Sequence, residues 1–337
     1  MSLFPLVGRK QRGMRIAWWL LVAFLCFGVF MHLVPFYIMV LTSLKPANEI
    51  MSMPPNLLPT NLTTQAWGLV LHLSDIAKTV LPQPLSQYFL NSVIMTAGIM
   101  VLTIPITSLA AYACSKLLKG KSGRYLFVFF IGTLMLPGIV SLIPSFLLTR
   151  SFPFPLPNAP NWPGTDTQMP YLRIWNTYLA VILPAGFSAG NFLLFKGFFD
   201  GIPDSIINAA RVDGGSEFNI FRRIILPMAV PVYAVVAYFE FGGAWESYLW
   251  PLVVIQDSNI APLTLAIRKI SDALGAAGTT NPQTALGASA QMSSLLGQGL
   301  SWNGLMVLGL LQALPVFIFF IIAREYLLKG VKIQGLK

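Results

Sequence analysis

Ile202-Pro203-Asp204-Ser205-Ile206-Ile207-Asn208-Ala209-Ala210-Arg211-Val212-Asp213-Gly214-Gly215 is a polar island between two apolar stretches, and it runs on to Ile224-Ile225-Leu226-Pro227. Pro203 suits the start of a helix, where a missing N–H costs nothing. Asp204 and Ser205 are N-cap candidates, because their side-chain oxygens accept from free backbone N–H groups. Ile206, Ile207, Ala209 and Ala210 form an apolar stripe about two turns long. Gly214 is placed to end the helix in a left-handed conformation. Ser216 is placed to cap a second short helix, in which Phe218, Ile220, Phe221, Ile224 and Ile225 are apolar and Arg222 and Arg223 polar. Pro227 opens the next apolar stretch. The segment therefore reads as helix, glycine turn, helix beside a membrane surface. On helix signals alone, an ordinary amphipathic linker at the interface accounts for it equally well.

The surrounding composition sets the class. The chain has 337 residues, 55% of them hydrophobic and 10% charged, whereas soluble domains carry about 25% charged residues. A net charge of +10 is compatible with nucleic-acid binding, but the basic residues are dispersed among apolar runs, so no nucleic-acid partner is expected. A helical span needs roughly 20 mostly apolar residues. Six stretches qualify: Ile16 to Leu44, Phe89 to Ser115, Tyr125 to Leu148, Thr177 to Phe195, Met228 to Trp250, and Trp302 to Ala323. Helices rather than strands follow from their lengths. Proline inside these runs (Pro35, Pro105, Pro137, Pro144, Pro184, Pro231, Pro315) is expected to kink them without cancelling them. The first run is too long for a signal-peptide core and lacks a cleavage site, so it is expected to be an uncleaved anchor. The expected fold is an all-α membrane protein of six transmembrane helices.

Six spans place both termini on one side, and lysine and arginine decide which. Arg9, Lys10, Arg12 and Arg15 precede the first span. Lys116, Lys119, Lys121 and Arg124 follow the second, and Lys196, Arg211, Arg222 and Arg223 follow the fourth. Arg324, Lys329, Lys332 and Lys337 follow the last, so sixteen of the 22 basic residues lie on this side. Both termini and the polar island are expected to be cytoplasmic, in a multi-pass protein of a bacterial or archaeal plasma membrane. The expected division is a basic tail over 1–15, a six-helix transmembrane domain over 16–328 and a tail over 329–337. Within it, the cytoplasmic loop covers 200–227 and long external loops cover 45–88, 149–176 and 252–301. Pro153, Pro155, Pro157, Pro160 and Pro163 should keep the second external loop extended.

No catalytic set stands out. Cys26 and Cys114 lie in separate apolar runs without disulfide or metal spacing and read as packing residues. His32 and His72 form no ligand cluster, and no metal site is expected. Gly120-Lys121-Ser122 is similar to the end of a P-loop, but Ser115 stands where the motif needs glycine, and the segment follows a membrane helix. Glu240 and Glu246 lie in or near the fifth span, where an ionisable group usually faces a cavity or a partner. Six residues apart, they do not share a helix face. Trp245 and Tyr248 are candidates to stack on a partly apolar ligand or to sit in an interfacial belt with Trp250. Glu240, Trp245, Glu246 and Tyr248 are therefore the candidate ligand-facing residues of this span, and a substrate path if the protein is a transporter.

The polar island also resembles the EAA loop of the inner-membrane permeases of binding-protein-dependent ABC importers. That pattern is Ile-Pro, then Glu-Ala-Ala-x-x-Asp-Gly-Ala, then Ile-x-Leu-Pro about ten residues later. Here it is met by Ile202-Pro203, Asn208-Ala209-Ala210, Asp213-Gly214-Gly215 and Ile224-Ile225-Leu226-Pro227. Asn208 replaces the usual Glu and Gly215 the usual Ala. Leu41-Thr42-Ser43-Leu44-Lys45, Ala110-Ala111-Tyr112-Ala113, Phe192 to Phe199, Trp245 to Leu252, Thr264-Leu265 and the tail from Gly330 to Lys337 also resemble the maltose-type smaller permease of that family. The resemblance implies a non-enzymatic transport subunit forming half of a carbohydrate path. It implies a second, non-identical permease, a pair of ABC ATPase subunits and an external solute-binding protein as partners. ATP and Mg would be held by the ATPases, and no cofactor by this chain. Ser205, Asn208, Ala209, Ala210, Arg211, Asp213, Gly214, Leu226 and Pro227 would be the coupling residues. Residues 257–299 would be the contact for the binding protein. The alternative is an ion-coupled secondary transporter of a small polar solute, which would show internal repeats or midplane ionisable groups.

Overall fold

In the computed structural model the described residues are 12–50, 58–72, 81–118, 120–152, 166, 172–275 and 301–334. They are almost wholly helical. Among them the only extended pairing is an isolated antiparallel bridge between Phe152 and Leu172. The helices, in chain order, are α1 (Arg12–Ser43), α2 (Ala47–Ile50), α3 (Gln65–Leu71), α4 (Leu85–Tyr112), α5 (Lys121–Gly132), α6 (Gly138–Arg150), α7 (Tyr178–Ile182), α8 (Ala189–Asp200), α9 (Asp204–Val212), α10 (Glu217–Ile220), α11 (Leu226–Met228), α12 (Val230–Trp245), α13 (Leu249–Val254), α14 (Leu263–Gly275) and α15 (Trp302–Gln334). Two compact units emerge, one drawn from residues 1–72 and 273–311, the other from 73–272 and 312–337.

In the first unit α1 is apolar all round and almost unburied against the rest of the chain, as a bilayer-facing helix is. Gly309 gives close approach to α1: a Cβ there would fall 2.7 Å from Met39 Cε. The segment after α1 is tied down by Asn303, whose Nδ2 donates to Lys45 O at 3.1 Å while its Oδ1 accepts from Ser301 N and Gly304 N. Glu49 accepts from the Thr60 backbone N–H at 2.9 Å and from the Thr60 hydroxyl at 3.0 Å. The Thr60 N–H above all holds the Glu49 carboxyl below its ordinary range.

In the second unit α4 is the central post, packed against α7, α8 and α12. Its buried face is rich in polar residues: Asn91, Ser92, Thr96, Thr103, Thr107 and Ser108. Most of these serve backbone that has left regular helix. Asn91 Nδ2 donates to Asn259 O (2.9 Å) and Ala261 O (2.8 Å), and Ser92 Oγ accepts from Leu263 N at 2.8 Å. Thr103 Oγ1 donates to Ala185 O, and Thr107 Oγ1 accepts from Ser188 N. Irregular backbone at membrane depth survives only where such partners exist.

Among the described residues three helices are continuous and apolar enough to cross a bilayer: Gly13–Ser43, Leu85–Leu117 and Trp302–Leu327. The count rises to six if each of three bent pairs is one span. Those pairs fall at the expected proline-kinked runs over Tyr125 to Leu148, Thr177 to Phe195 and Met228 to Trp250, and two of the three bends are sharper than a simple kink. The first turns by 100° between Met135 and Gly138, where Leu136 is forced extended by Pro137. The second bends by 43° between Ala185 and Ala189, after a 3₁₀ turn that holds Pro184. The third bends by 80° at Ala229, just before Pro231. Trp250 is not in that last helix. The chain breaks over Glu246–Tyr248, and Trp250 belongs to α13.

Candidate functional site

The loop singled out by its sequence folds as two short helices around a glycine turn. α9 begins at Asp204 with Pro203 at the N-cap, and neither Asp204 nor Ser205 makes the expected side-chain cap. The helix starts one residue early, and the Asp204 carboxylate has another partner. Asp204 Oδ1 takes Lys116 Nζ at 2.8 Å, and the same ammonium donates to Ile202 O at 2.6 Å. Lys116 is 5% exposed; its charge is neutralised where the π-helical turn Ala113–Leu117 extends α4. The carboxylate in the first turn of α9 still complements the helix dipole.

The end of α9 follows the sequence reading. Gly214 has φ of +81°, and Gly214 N and Gly215 N donate to Arg211 O and Ala210 O at 3.0 and 2.9 Å. A Cβ on Gly215 would come within 2.8 Å of Ala210 O, which gives a local reason for glycine where the resembled pattern carries Ala. Ser216 Oγ accepts from Asn219 N, capping α10.

The turn is then cross-braced. Arg211 Nε donates to Glu217 Oε1 at 2.6 Å, and Tyr112 Oη donates to Glu217 Oε2 at 2.9 Å. Arg211 Nη1 also reaches Asn208 Oδ1 at 3.2 Å, so the neutral Asn208 fills an acceptor role. The Glu217 carboxylate holds the Arg211 guanidinium above its ordinary pKa. Tyr112 packs edge-on against Phe199 and tilted against Phe221. Ile207, Ile220, Phe221 and Ile225 are buried in one apolar cluster with Phe192, Phe195 and Phe199. Each such side chain contributes roughly 1.5–3 kcal/mol on burial, so the back of the loop is firmly seated.

The front of the loop is bare. The expected four-residue stripe shrinks to Ile207 and Ala210; Ile206 and Ala209 point outward. Ser205, Asn208, Ala209 and Asp213 are exposed, Val212 is 87% exposed and Phe218 66%. Leu226 and Pro227 sit, also exposed, in the three-residue turn α11 before the 80° bend. Tyr112 and Lys116 escaped the sequence reading as loop partners. Tyr112 was legible only as part of Ala110-Ala111-Tyr112-Ala113, and Lys116 only as a topology charge.

The four candidate path residues are not brought to one place. Glu240 accepts a hydrogen bond from Asn191 Nδ2 and lines a cavity of about 420 Å³. Trp245 is 2% exposed, stacked on Phe241, edge-on to Phe89, and donates from Nε1 to Gln312 O at 2.8 Å. Glu246 and Tyr248 line a different cavity of about 390 Å³ with Thr264, Arg268 and Gln312. Cys114 is buried and Cys26 exposed, both as free thiols. Among the described residues no group of His, Cys, Asp and Glu forms a metal site. Arg9, Lys10, Lys78, Lys119, Lys337, the Pro153 to Pro163 run and 276–299 of the expected 257–299 contact lie outside the described residues.

The profile described as "Binding-protein-dependent transport system inner membrane component" matches residues 103–333, which include the whole loop. The chain belongs to this family. It is accordingly a multi-pass membrane component of a transport system. Among its relatives is the arabinooligosaccharides transport system permease protein AraQ of Halalkalibacterium halodurans, 26% identical over 97% of this chain and 99% of that protein. The probable ABC transporter permease protein YurM of Bacillus subtilis is 28% identical over 90% of this chain and 83% of its own. The sn-glycerol-3-phosphate transport system permease protein UgpE of Yersinia pestis is 23% identical over 91% and 92%. The fold is also that of a chain in the crystal structure of a bacterial ABC transporter involved in the import of the acidic polysaccharide alginate. The TM-score is 0.68 at 20% identity, covering 94% of this chain and 98% of that one.

Proposed function

We propose that this chain is a permease subunit of an ATP-driven ABC importer, forming half of the path for a carbohydrate delivered by an external binding protein. The observation that carries the reading is the loop: α9 is clamped from behind by Lys116, Tyr112 and the Ile207 cluster, and open in front at Ser205, Asn208, Ala209 and Val212. A helix held this way transmits force. It moves with α4 and α8 instead of bending away, and its bare face is free for a second protein. In the family's transport role that protein is a pair of ABC ATPases, which hold ATP and Mg, while this chain binds neither.

The same reading places six spans across the bilayer, the first two bent pairs as one span each and the fifth span starting at Met228 beside the bend at Ala229, with both termini and the 200–227 loop in the cytoplasm. Closure of the ATPase pair would push α9 as a lever, with Gly214 fixing the elbow between α9 and α10, and would tip the spans between inward-open and outward-open states. A second, non-identical permease completes the path. The 257–299 segment faces the binding protein. Carbohydrate cargo is supported by the named cargo of AraQ, the relative that aligns over almost the whole chain.

Co-purification tests this directly. The intact complex should retain a nucleotide-binding subunit whose ATPase activity rises when a solute-binding protein and its sugar are added. Uptake by this chain alone, driven by an ion gradient, would replace the proposal with a secondary transporter.

A further inference from the structure

The cavity beside Glu240 has a definite electrostatic character. Its volume of about 420 Å³ lies within the roughly 300–1,000 Å³ typical of small-molecule sites. Ser141 and Ser145 of α6, Ser247, and Glu240 of α12 supply its polar lining. Trp250 of α13 also lines it, and its indole N–H is already taken by Ala180 O at 3.0 Å, so the ring meets the cavity as an apolar surface. Gly243 lines it too, and a Cβ there would meet nothing within 4 Å. Among the described residues that line it there is no lysine, arginine or histidine.

Hydroxyls and one acid beside an aromatic surface match a ligand with many hydroxyls and an apolar ring face. They do not match an anion. A carboxylate or phosphate brought out of water needs a cation in return, and burying it without one costs several kcal/mol. With Glu240 ionised the local field repels an anion; with Glu240 protonated the cavity still offers no positive charge. We infer that this cavity is a subsite for a neutral polyhydroxyl unit and that it rejects uronic-acid and phosphorylated sugars. The inference rests on the proposed transport role for the arrival of sugar, and it separates this chain from family members whose named cargo is anionic, such as sn-glycerol-3-phosphate.

The test uses the intact transporter complex with Cys26→Ser and Cys114→Ala, carrying Ser247→Cys or, as a second position, Ser145→Cys. Labelling rates are measured with the cationic ethyltrimethylammonium and the anionic ethylsulfonate methanethiosulfonates. After division by each reagent's rate with a free thiol in solution, the anionic reagent should not exceed the cationic one at either position, and adding Ser141→Lys should raise the anionic rate at least tenfold. Galactobiose or maltose at high concentration should slow labelling at least threefold, whereas digalacturonate should not. A normalised rate that is higher for the anionic reagent overturns the proposal, as does protection by digalacturonate equal to that by galactobiose, or protection by none of the sugars. These outcomes are independent of whether an ATPase co-purifies, so failure here is distinct from failure of the transport assignment.

Discussion

Gly214→Val isolates the elbow. At φ of +81° a side chain strains the backbone, while the space around the Gly214 Cβ position is open, with no atom within 4 Å. The penalty is therefore conformational and not a clash. A left-handed residue with a Cβ costs roughly 1–2 kcal/mol, and a β-branched one belongs at or above the top of that range. About 2–3 kcal/mol corresponds to a roughly thirty- to 140-fold loss of the correct turn at 1.4 kcal/mol per decade. Asn tolerates the same φ, so Gly214→Asn should retain most function. Gly215→Ala is the contrasting control. Its Cβ would lie 2.8 Å from Ala210 O, a backbone atom that cannot swing aside, so the Gly215 N–H to Ala210 O bond must stretch. Substrate uptake and binding-protein-stimulated ATPase activity would be measured in proteoliposomes at equal amounts of inserted complex. The expected order is wild type, then Gly214→Asn, then Gly214→Val, with insertion unchanged. Normal coupling in Gly214→Val, or Asn as damaging as Val, would refute the reasoning.

Three further predictions follow from the braces. Tyr112→Phe deletes one of the two ties on Glu217 and should weaken the elbow by about 1.5–3 kcal/mol, as hydrogen bonds to charged groups do; thermal release of the ATPase from the complex should shift down in temperature. Lys116→Met removes the donor that Lys116 gives to Ile202 O and the Lys116–Asp204 ion pair; protease cleavage within 200–216 should accelerate while cleavage elsewhere does not. Glu49 has its carboxyl pKa lowered by Thr60, so its contribution to holding residues 58–63 is present above the ordinary value of 4.5 and is lost only as pH falls through the lowered value. Amide exchange over 58–63, corrected for intrinsic rates, should stay slow at pH 4.5 in the wild type and become faster at that pH in Thr60→Ala.

What was legible in the sequence was whatever is local. Ser216 caps α10 and Gly214 turns left-handed because both depend on residues within one turn. The apolar runs gave helices because length alone sets them. The Asp204 and Ser205 cap is displaced because the helix starts one residue early, with Pro203 at the N-cap, and the partner of Asp204, Lys116, lies 88 positions earlier, beyond local reading. Tyr112 lies 105 positions before Glu217, beyond any periodicity argument. The breaks at Pro137 and Pro184 were anticipated as kinks, but their severity depends on what satisfies the freed backbone, and that is Thr103 and Thr107 on α4 for the second break. Trp245 read as a ligand-stacking or interfacial-belt aromatic. Its burial follows from Phe241, Phe89 and the Gln312 carbonyl, which only the fold assembles.

The central claim is that the bare face of α9 is gripped by a nucleotide-driven subunit. A photo-crosslinking residue at Val212, which is 87% exposed, tests it in the purified complex. The account predicts an adduct with the ATPase subunit that weakens or moves when ATP is added. Adducts formed only with lipid or with the external binding protein would contradict it.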